Sequence, residues 1–219
     1  MTFSEVDTQD CDAAVGTCTE TTHTAGGLTI VAQISDDSVA TDRDTGGCTQ
    51  GGVAMTRVSD NEIIGGNVEM DVFYMQGGSG DIVCTWAGTI SGGGMISITY
   101  SGFLATGNPN VVAEDFDAAN TVIQQSITTT VNNALIVDFV ASANGSTSFT
   151  PDAGQTERTD LATGQLTMAS SEYQQGLFSA KTMGQTAAAS AALVYKIFAI
   201  IPSVSSTNSL GTDSLGVTS

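Results

Sequence analysis

Apolar and polar residues alternate with a period of two along most of the chain, the spacing of strands that bury one face of a sheet. Residues 28–34 (Leu-Thr-Ile-Val-Ala-Gln-Ile) are rich in β-branched side chains and bounded by Gly26-Gly27 and Asp36-Asp37. Residues 53–58 alternate, and so do 68–75, where Val68, Met70, Val72 and Tyr74 share one face. Residues 81–86 and 95–100 follow, set off by glycine-rich turns at Gly77-Gly78 and Gly92-Gly93-Gly94. Further strands are predicted over 121–131, 134–142, 155–159, 164–169 and 193–201. Strands of this length with regularly spaced turn residues define an all-β sandwich or barrel.

Two segments interrupt the pattern. Residues 101–120 contain Asn108-Pro109 and the acidic group Glu114, Asp115 and Asp117, and read as a long loop. Residues 187–192 have helical propensity, but the β-rich sequence around them makes them the start of a strand. The ends differ from the middle. Residues 1–24 carry a cysteine loop and a Thr-rich run, and 203–219 turn to Ser, Thr, Gly and Leu with no apolar period. The expected organisation is an N-terminal arm over 1–24, a β-sandwich over 25–202 and a C-terminal tail over 203–219.

Charge narrows the function classes. The 219 residues include 23 Asp and Glu against five Lys and Arg, a formal net charge of −18. Charged residues are only 13% of the chain, so the imbalance comes from missing bases rather than from extra acids. Such a surface repels phosphate backbones and anionic membranes, which excludes nucleic acid and membrane as expected partners. The longest apolar stretch, 187–201, is interrupted by Ser190 and Lys196, too short and too polar for a span. The first residues (Met-Thr-Phe-Ser-Glu-Val-Asp) show neither a basic nor an apolar leader region. The expectation is a leader already removed, or release by lysis as for a virion protein.

Candidate chemistry is sparse. Cys11 and Cys18 bracket a short loop, while Cys48 and Cys84 each fall in a strand region and could meet across a sheet. A zinc site wants two short Cys-x-x-Cys hooks, which this spacing does not provide, so disulfides or buried thiols are expected. The one histidine, His23, sits in a polar run with no Gly-x-Ser-x-Gly turn anywhere in the chain, so no nucleophilic catalyst is assigned. Glu69-Met-Asp71 resembles part of the Glu-x-Asp-x-x-Glu strand of certain jelly-roll glycosidases. Tyr74 stands where their second Glu would be, and the acids read as the wet face of a half-buried strand. Glu114, Asp115 and Asp117 offer oxygens to a hard cation, but without the glycine-hinged spacing of a calcium loop they read as solvated. Trp86, Tyr100 and Tyr195 are expected in the core, and Tyr173, in the polar run 170–176, as the best exposed aromatic for a sugar. No catalytic, cofactor-binding or metal-binding residue is assigned, and no cofactor is expected.

Several segments read in order carry a resemblance. They are Leu-Thr-Ile-Val-Ala at 28–32, Gly-Gly-Val-Ala-Met-Thr-Arg-Val at 51–58, and residues 68–75. Tyr-Ser-Gly at 100–102, Ala-Leu-Ile-Val-Asp at 134–138, Ala-Gly-Gln-Thr-Glu-Arg at 153–158 and Ile-Phe-Ala-Ile-Ile-Pro at 197–202 complete the set. Together these 25–202 landmarks resemble a jelly-roll module of tailed-phage virion structural proteins and bacterial surface proteins. The resemblance implies a two-sheet antiparallel jelly-roll sandwich with a display or assembly role, and it brings no catalytic residues. Gly102 and Gly154 then read as turns, and Arg158, one of five bases, as the partner of an unspecified carboxylate. The expected function is a non-enzymatic capsid decoration, fibre or spike component, located in the virion. Its expected partners are other copies of itself and capsid or tail proteins. The alternative is a secreted or cell-surface module that binds glycan, including glycan of a host surface, or forms filaments.

Overall fold

Period-two alternation becomes antiparallel pairing throughout the computed structural model, which describes residues 2–11, 16–21, 26–36, 47–58, 63–65, 68–86, 90–103, 107 and 109–203. Those residues form strands β1 to β16 and no helix. The first sheet runs β1 (Thr2–Cys11), β10 (Gly92–Ser101), β3 (Leu28–Asp36), β8 (Val68–Gln76) and β6 (Thr56–Arg57), with β7 (Ile63–Gly65) also on β8. The second runs β11 (Asn110–Thr128), β16 (Ala180–Ile200), β12 (Leu135–Ser142), β15 (Thr167–Gln174) and β14 (Thr156–Ala162), with β13 (Phe149–Pro151) also on β16. A third, smaller sheet orders β2 (Thr17–Glu20), β9 (Ile82–Thr85), β4 (Gly47–Gln50) and β5 (Val53–Ala54).

Alternation decides what each sheet buries. Leu28, Ile30, Ala32 and Ile34 on β3 join Val68, Met70 and Val72 on β8, and Ile96, Ile98 and Tyr100 on β10. This face meets Leu135, Val137 and Phe139 of β12, Met168 of β15, and Val194, Phe198 and Ile200 of β16. Each fully buried Leu, Ile or Phe contributes about 1.5–3 kcal/mol, so this interface dominates stability. The opposite face of the first sheet is also covered. Val31, Phe73 and Met95 pack under Cys18, Cys48, Ile82, Cys84 and Trp86 of the third sheet and its flanks. A third layer is thus added to the two sheets that the sequence leads one to expect.

β11 and β16 are longer than the rest and change course together. Residues 110–117 pair with 193–199; after register shifts between Asp117 and Val122, residues 122–128 pair with 180–186. Ile123 and Ile127 of the second half of β11, with Met183 and Ala187 of the first half of β16, pack on Ile136, Val140, Ala169, Tyr195 and Ile197. The ribbon therefore lies over the far face of its own sheet and closes a second apolar layer there.

Several expectations change. Residues 110–120 belong to β11, not to a loop, because Glu114 pairs with Lys196 of β16 while Asp115 and Asp117 lie on the other face of an outermost strand. Gly92 to Gly94 lie inside β10 rather than in a turn. A Cβ on Gly94 would stand 2.1 Å from Met168 Cε and one on Gly92 2.6 Å from Gln165 Oε1, so glycine lets the sheets approach. The single strand expected over 53–58 divides at the buried Met55: β5 pairs with β4 in the third sheet and β6 with β8 in the first. Thr2–Cys11, within the N-terminal arm that could equally have been a plain edge strand, is a strand paired along β10 at the edge of the first sheet. The segment 187–192 is strand, as its flanks imply. The tail from 204 lies outside the described residues.

Candidate functional site

Most ionisable groups with unusual surroundings point inward. Asp138 on β12 is fully buried in the second apolar layer. Its Oδ1 accepts from Ser171 N at 2.7 Å, Ser171 Oγ at 2.8 Å and Gln185 Nε2 at 3.1 Å. Its Oδ2 accepts from Tyr195 OH at 2.7 Å and, more weakly, from Gln155 Nε2 at 3.4 Å. Gln155 also donates to Ser171 Oγ and Gly184 O and accepts from Gly184 N. The cluster therefore ties β12, β15, both halves of β16 and the 152–155 turn together. Burial pushes the Asp138 carboxyl up to about 6, against the Tyr195, Ser171 and Gln185 donors that favour its ionised form. Burial and Asp138 together hold the Tyr195 phenol neutral.

A second cluster crosses between the sheets. Tyr100 OH on β10 donates to Glu172 Oε2 on β15 at 3.0 Å, and Arg158 on β14 pairs with Glu172 Oε1. Glu172 is thus the carboxylate that Arg158 was expected to find. Burial, then Glu172, raises the Tyr100 phenol well above its ordinary value. Gly102 (φ 75°) and Gly154 (φ 89°) occupy left-handed turns as expected.

Lys196 on β16 is 0% exposed and lies 3.5 Å from Glu114, its cross-strand neighbour on β11. Burial lowers its ammonium and Glu114 opposes that. Glu69 and Asp71, expected on a wet face, are buried, and Asp71 pairs with Arg57 at 3.3 Å. The third sheet explains the difference: Gln33, beside Asp71 on the same face, donates to Thr85 O of β9. On the same face Ser97 donates to Glu20 of β2.

The acidic trio does not converge. Strand alternation sends Glu114 to Lys196 on one face, with Asp115 and Asp117 on the other. Asp115 accepts from Phe116 N, and Asp117 from Ala119 N and Asn120 Nδ2, which lower its carboxyl. Among the described residues, no group of three or more His, Cys, Asp or Glu is placed to hold a metal ion. Cys48 and Cys84 form a disulfide across β4 and β9, and Cys18 is also disulfide-bonded. His23 and the Cys11 side chain lie outside what is described. Trp86, Tyr100 and Tyr195 are core residues as expected. Tyr173 sits on β15 rather than in a loop, half-buried, with Lys181 Nζ 4.0 Å over its ring. That ammonium covers one face of the ring.

What faces water is apolar in specific places. Leu177 and Phe178 are 73% and 62% exposed in the turn between β15 and β16. Phe116 and Val122 are exposed on the outermost strand β11, and Val53 on β5. Sequence periodicity cannot flag these residues, because a turn and a sheet edge have no apolar period of their own.

The arrangement defines an antiparallel all-β protein with internal polar ties and apolar surface points. No family model and no curated protein matches the chain. Among solved structures, 90% of the chain is similar to the whole of a conserved protein of unknown function from Pseudomonas aeruginosa, with 13% identity and a TM-score of 0.27. At that score the likeness carries no argument.

Proposed function

We propose that this chain is a non-enzymatic structural component that works through protein–protein assembly on a jelly-roll sandwich. Within that class the reading is an accessory capsid decoration, fibre or spike protein of a tailed-phage virion. The virion assignment rests on the resemblance over 25–202. The assembly assignment rests on one observation: Asp138, Glu172 and Lys196 are each held by internal bonds, while large apolar side chains are exposed at the turn between β15 and β16 and on an outermost strand. Exposed Leu and Phe at a tip are costly in water unless another surface covers them.

Light scattering of the purified chain over a concentration series tests this. A mass above one chain, rising with concentration, is expected. A single-chain mass throughout, together with retention on an immobilised glycan panel, transfers the reading to a secreted or cell-surface binding module. The Cys48–Cys84 bond favours that second reading, because such bridges persist in oxidising compartments.

A further inference from the structure

Three of the four cysteines stand side by side. In the third sheet β9 is flanked by β2 and β4, and the registers set Cys18 and Cys48 both opposite Cys84. Residues directly opposite on neighbouring strands share a face of the sheet. All three side chains are buried in the layer between the third sheet and the first. Cys84 bonds to Cys48, and Cys18 is itself disulfide-bonded.

Cys18 is nevertheless within bridging reach of Cys84. Trp86 N donates to Gly16 O, two positions along the same pair of strands, and hydrogen-bonded pairs recur at every second position of an antiparallel ladder. Cys18 and Cys84 are therefore such a pair, with Cα atoms about 5.5 Å apart, a common separation for a disulfide. The far side of the row is prepared as well. Gln33 Oε1 lies 3.6 Å from Cys48 Sγ, while Gln33 Nε2 is fixed on Thr85 O at 2.8 Å. A bridged sulfur has no hydrogen to give that oxygen; a released Cys48 thiol has one.

We propose that the row Cys18–Cys84–Cys48 is a thiol–disulfide exchange site in which Cys84 is the sulfur shared by two alternative bridges. A dithiol opens the Cys18 bond, passing two electrons and two protons to that bridge and becoming a disulfide itself. Cys18 then gives its proton to solvent, and its thiolate attacks Cys84 Sγ. The Cys18–Cys84 bond forms as the Cys84–Cys48 bond breaks, and the electron pair leaves on Cys48 Sγ. That sulfur takes up a proton and donates it in a hydrogen bond to Gln33 Oε1. The exchange step itself consumes no oxidant and no reductant. Nucleophile, shared sulfur and leaving sulfur come from three neighbouring strands in one row, the order that an in-line attack on sulfur needs. The exchange moves the staple from one side of β9 to the other. The outermost strand β2 becomes tied to β9, while β4, with β5 beyond it, loses its covalent tie. The third sheet thus responds to a dithiol by changing which of its strands is stapled.

The full chain carrying Cys11→Ser tests the exchange step, because its remaining cysteines are the three in the row and one of them must be a thiol. The protein is held at about pH 8.5, where roughly half of an ordinary thiol is ionised. It is then quenched with acid and labelled with N-ethylmaleimide, and its peptides are mapped by mass spectrometry. Cys18–Cys84-linked peptides are expected as about a tenth or more of the bridged total, with matching label on Cys48. Label confined to Cys18, or label on Cys84, overturns the proposal. Wild type treated with limiting dithiothreitol and mapped in the same way tests the complete sequence in a chain with all its cysteines. A Cys18–Cys84 link is expected to appear before both bridges are fully reduced. Its absence at every dose of dithiothreitol overturns the proposal.

Discussion

Asp138 shows how one side chain couples fold to solution conditions. Its carboxyl sits above the ordinary value of 3.8, at about 6, so the folded protein holds that proton more tightly than the unfolded chain does. The resulting stabilisation is complete below 3.8 and is lost as pH rises through about 6. At about 1.4 kcal/mol per pH unit, the whole span is worth ~3 kcal/mol. Asp160, raised by burial, acts in the same direction. Among the described residues Gln185 Oε1 is buried with no hydrogen-bond partner, so turning this amide over would offer a protonated Asp138 an acceptor. Urea melts from about pH 4 to 7 are expected to show wild type losing stability relative to Asp138→Asn as pH rises. A constant difference across that window would contradict the assignment.

At the scale of elements, the glycines of β10 and the third sheet each set a spacing. Gly94→Ala drives its new methyl into Met168 and is expected to cost about 1–3 kcal/mol, the usual penalty for overfilling a core. Met168→Ala in the same chain makes room for it. The double variant is therefore expected to be more stable than the sum of the two single losses, read by thermal melts in a double-mutant cycle. Strict additivity would mean that the methyl is accommodated elsewhere. The third sheet depends on the Cys48–Cys84 bridge, which closes a separation of 36 residues. Replacing both by serine is expected to cost about 3–4 kcal/mol. Fluorescence of Trp86, which packs in that layer, should report loosening first. An unchanged melt with an unchanged Trp signal would show that packing alone holds the layer.

Across the whole molecule, polar ties link layers that apolar packing would otherwise leave free to slide. Tyr100–Glu172–Arg158 joins the first sheet to the second, and Ser97–Glu20 and Gln33–Thr85 join the first to the third. Tyr100→Phe keeps the ring and removes one donor, so a loss of about 1–2 kcal/mol is expected in chemical denaturation. Arg158→Ala is expected to cost more, because it leaves Glu172 without its counter-charge in a half-buried place. If Tyr100→Phe proves neutral, the sheets are registered by shape and not by this bond. These ties also explain how so acidic a chain stays compact, since many of its carboxylates face donors rather than one another.

The all-β class and most strand positions were legible in the sequence, because burial of one face imposes a period of two that single residues display. The core places of Trp86, Tyr100 and Tyr195 followed from the same pattern. What the sequence could not show is which second surface covers a face. Glu69 and Asp71 alternate as a wet face should, yet they are buried because a third sheet, assembled from β2, β4, β5 and β9, folds over them. Residues 101–120 read as a loop, since acids lower β propensity, but pairing of Glu114 with Lys196 across the strands makes 110–120 an edge. The Asp138 cluster joins residues from 138 to 195, and the partners of Arg158 and Lys196 are likewise distant in the chain. Local pattern determines how a strand divides its two faces. Only the tertiary structure decides what meets each face, because that depends on contacts that close long loops and leave no periodic trace in sequence.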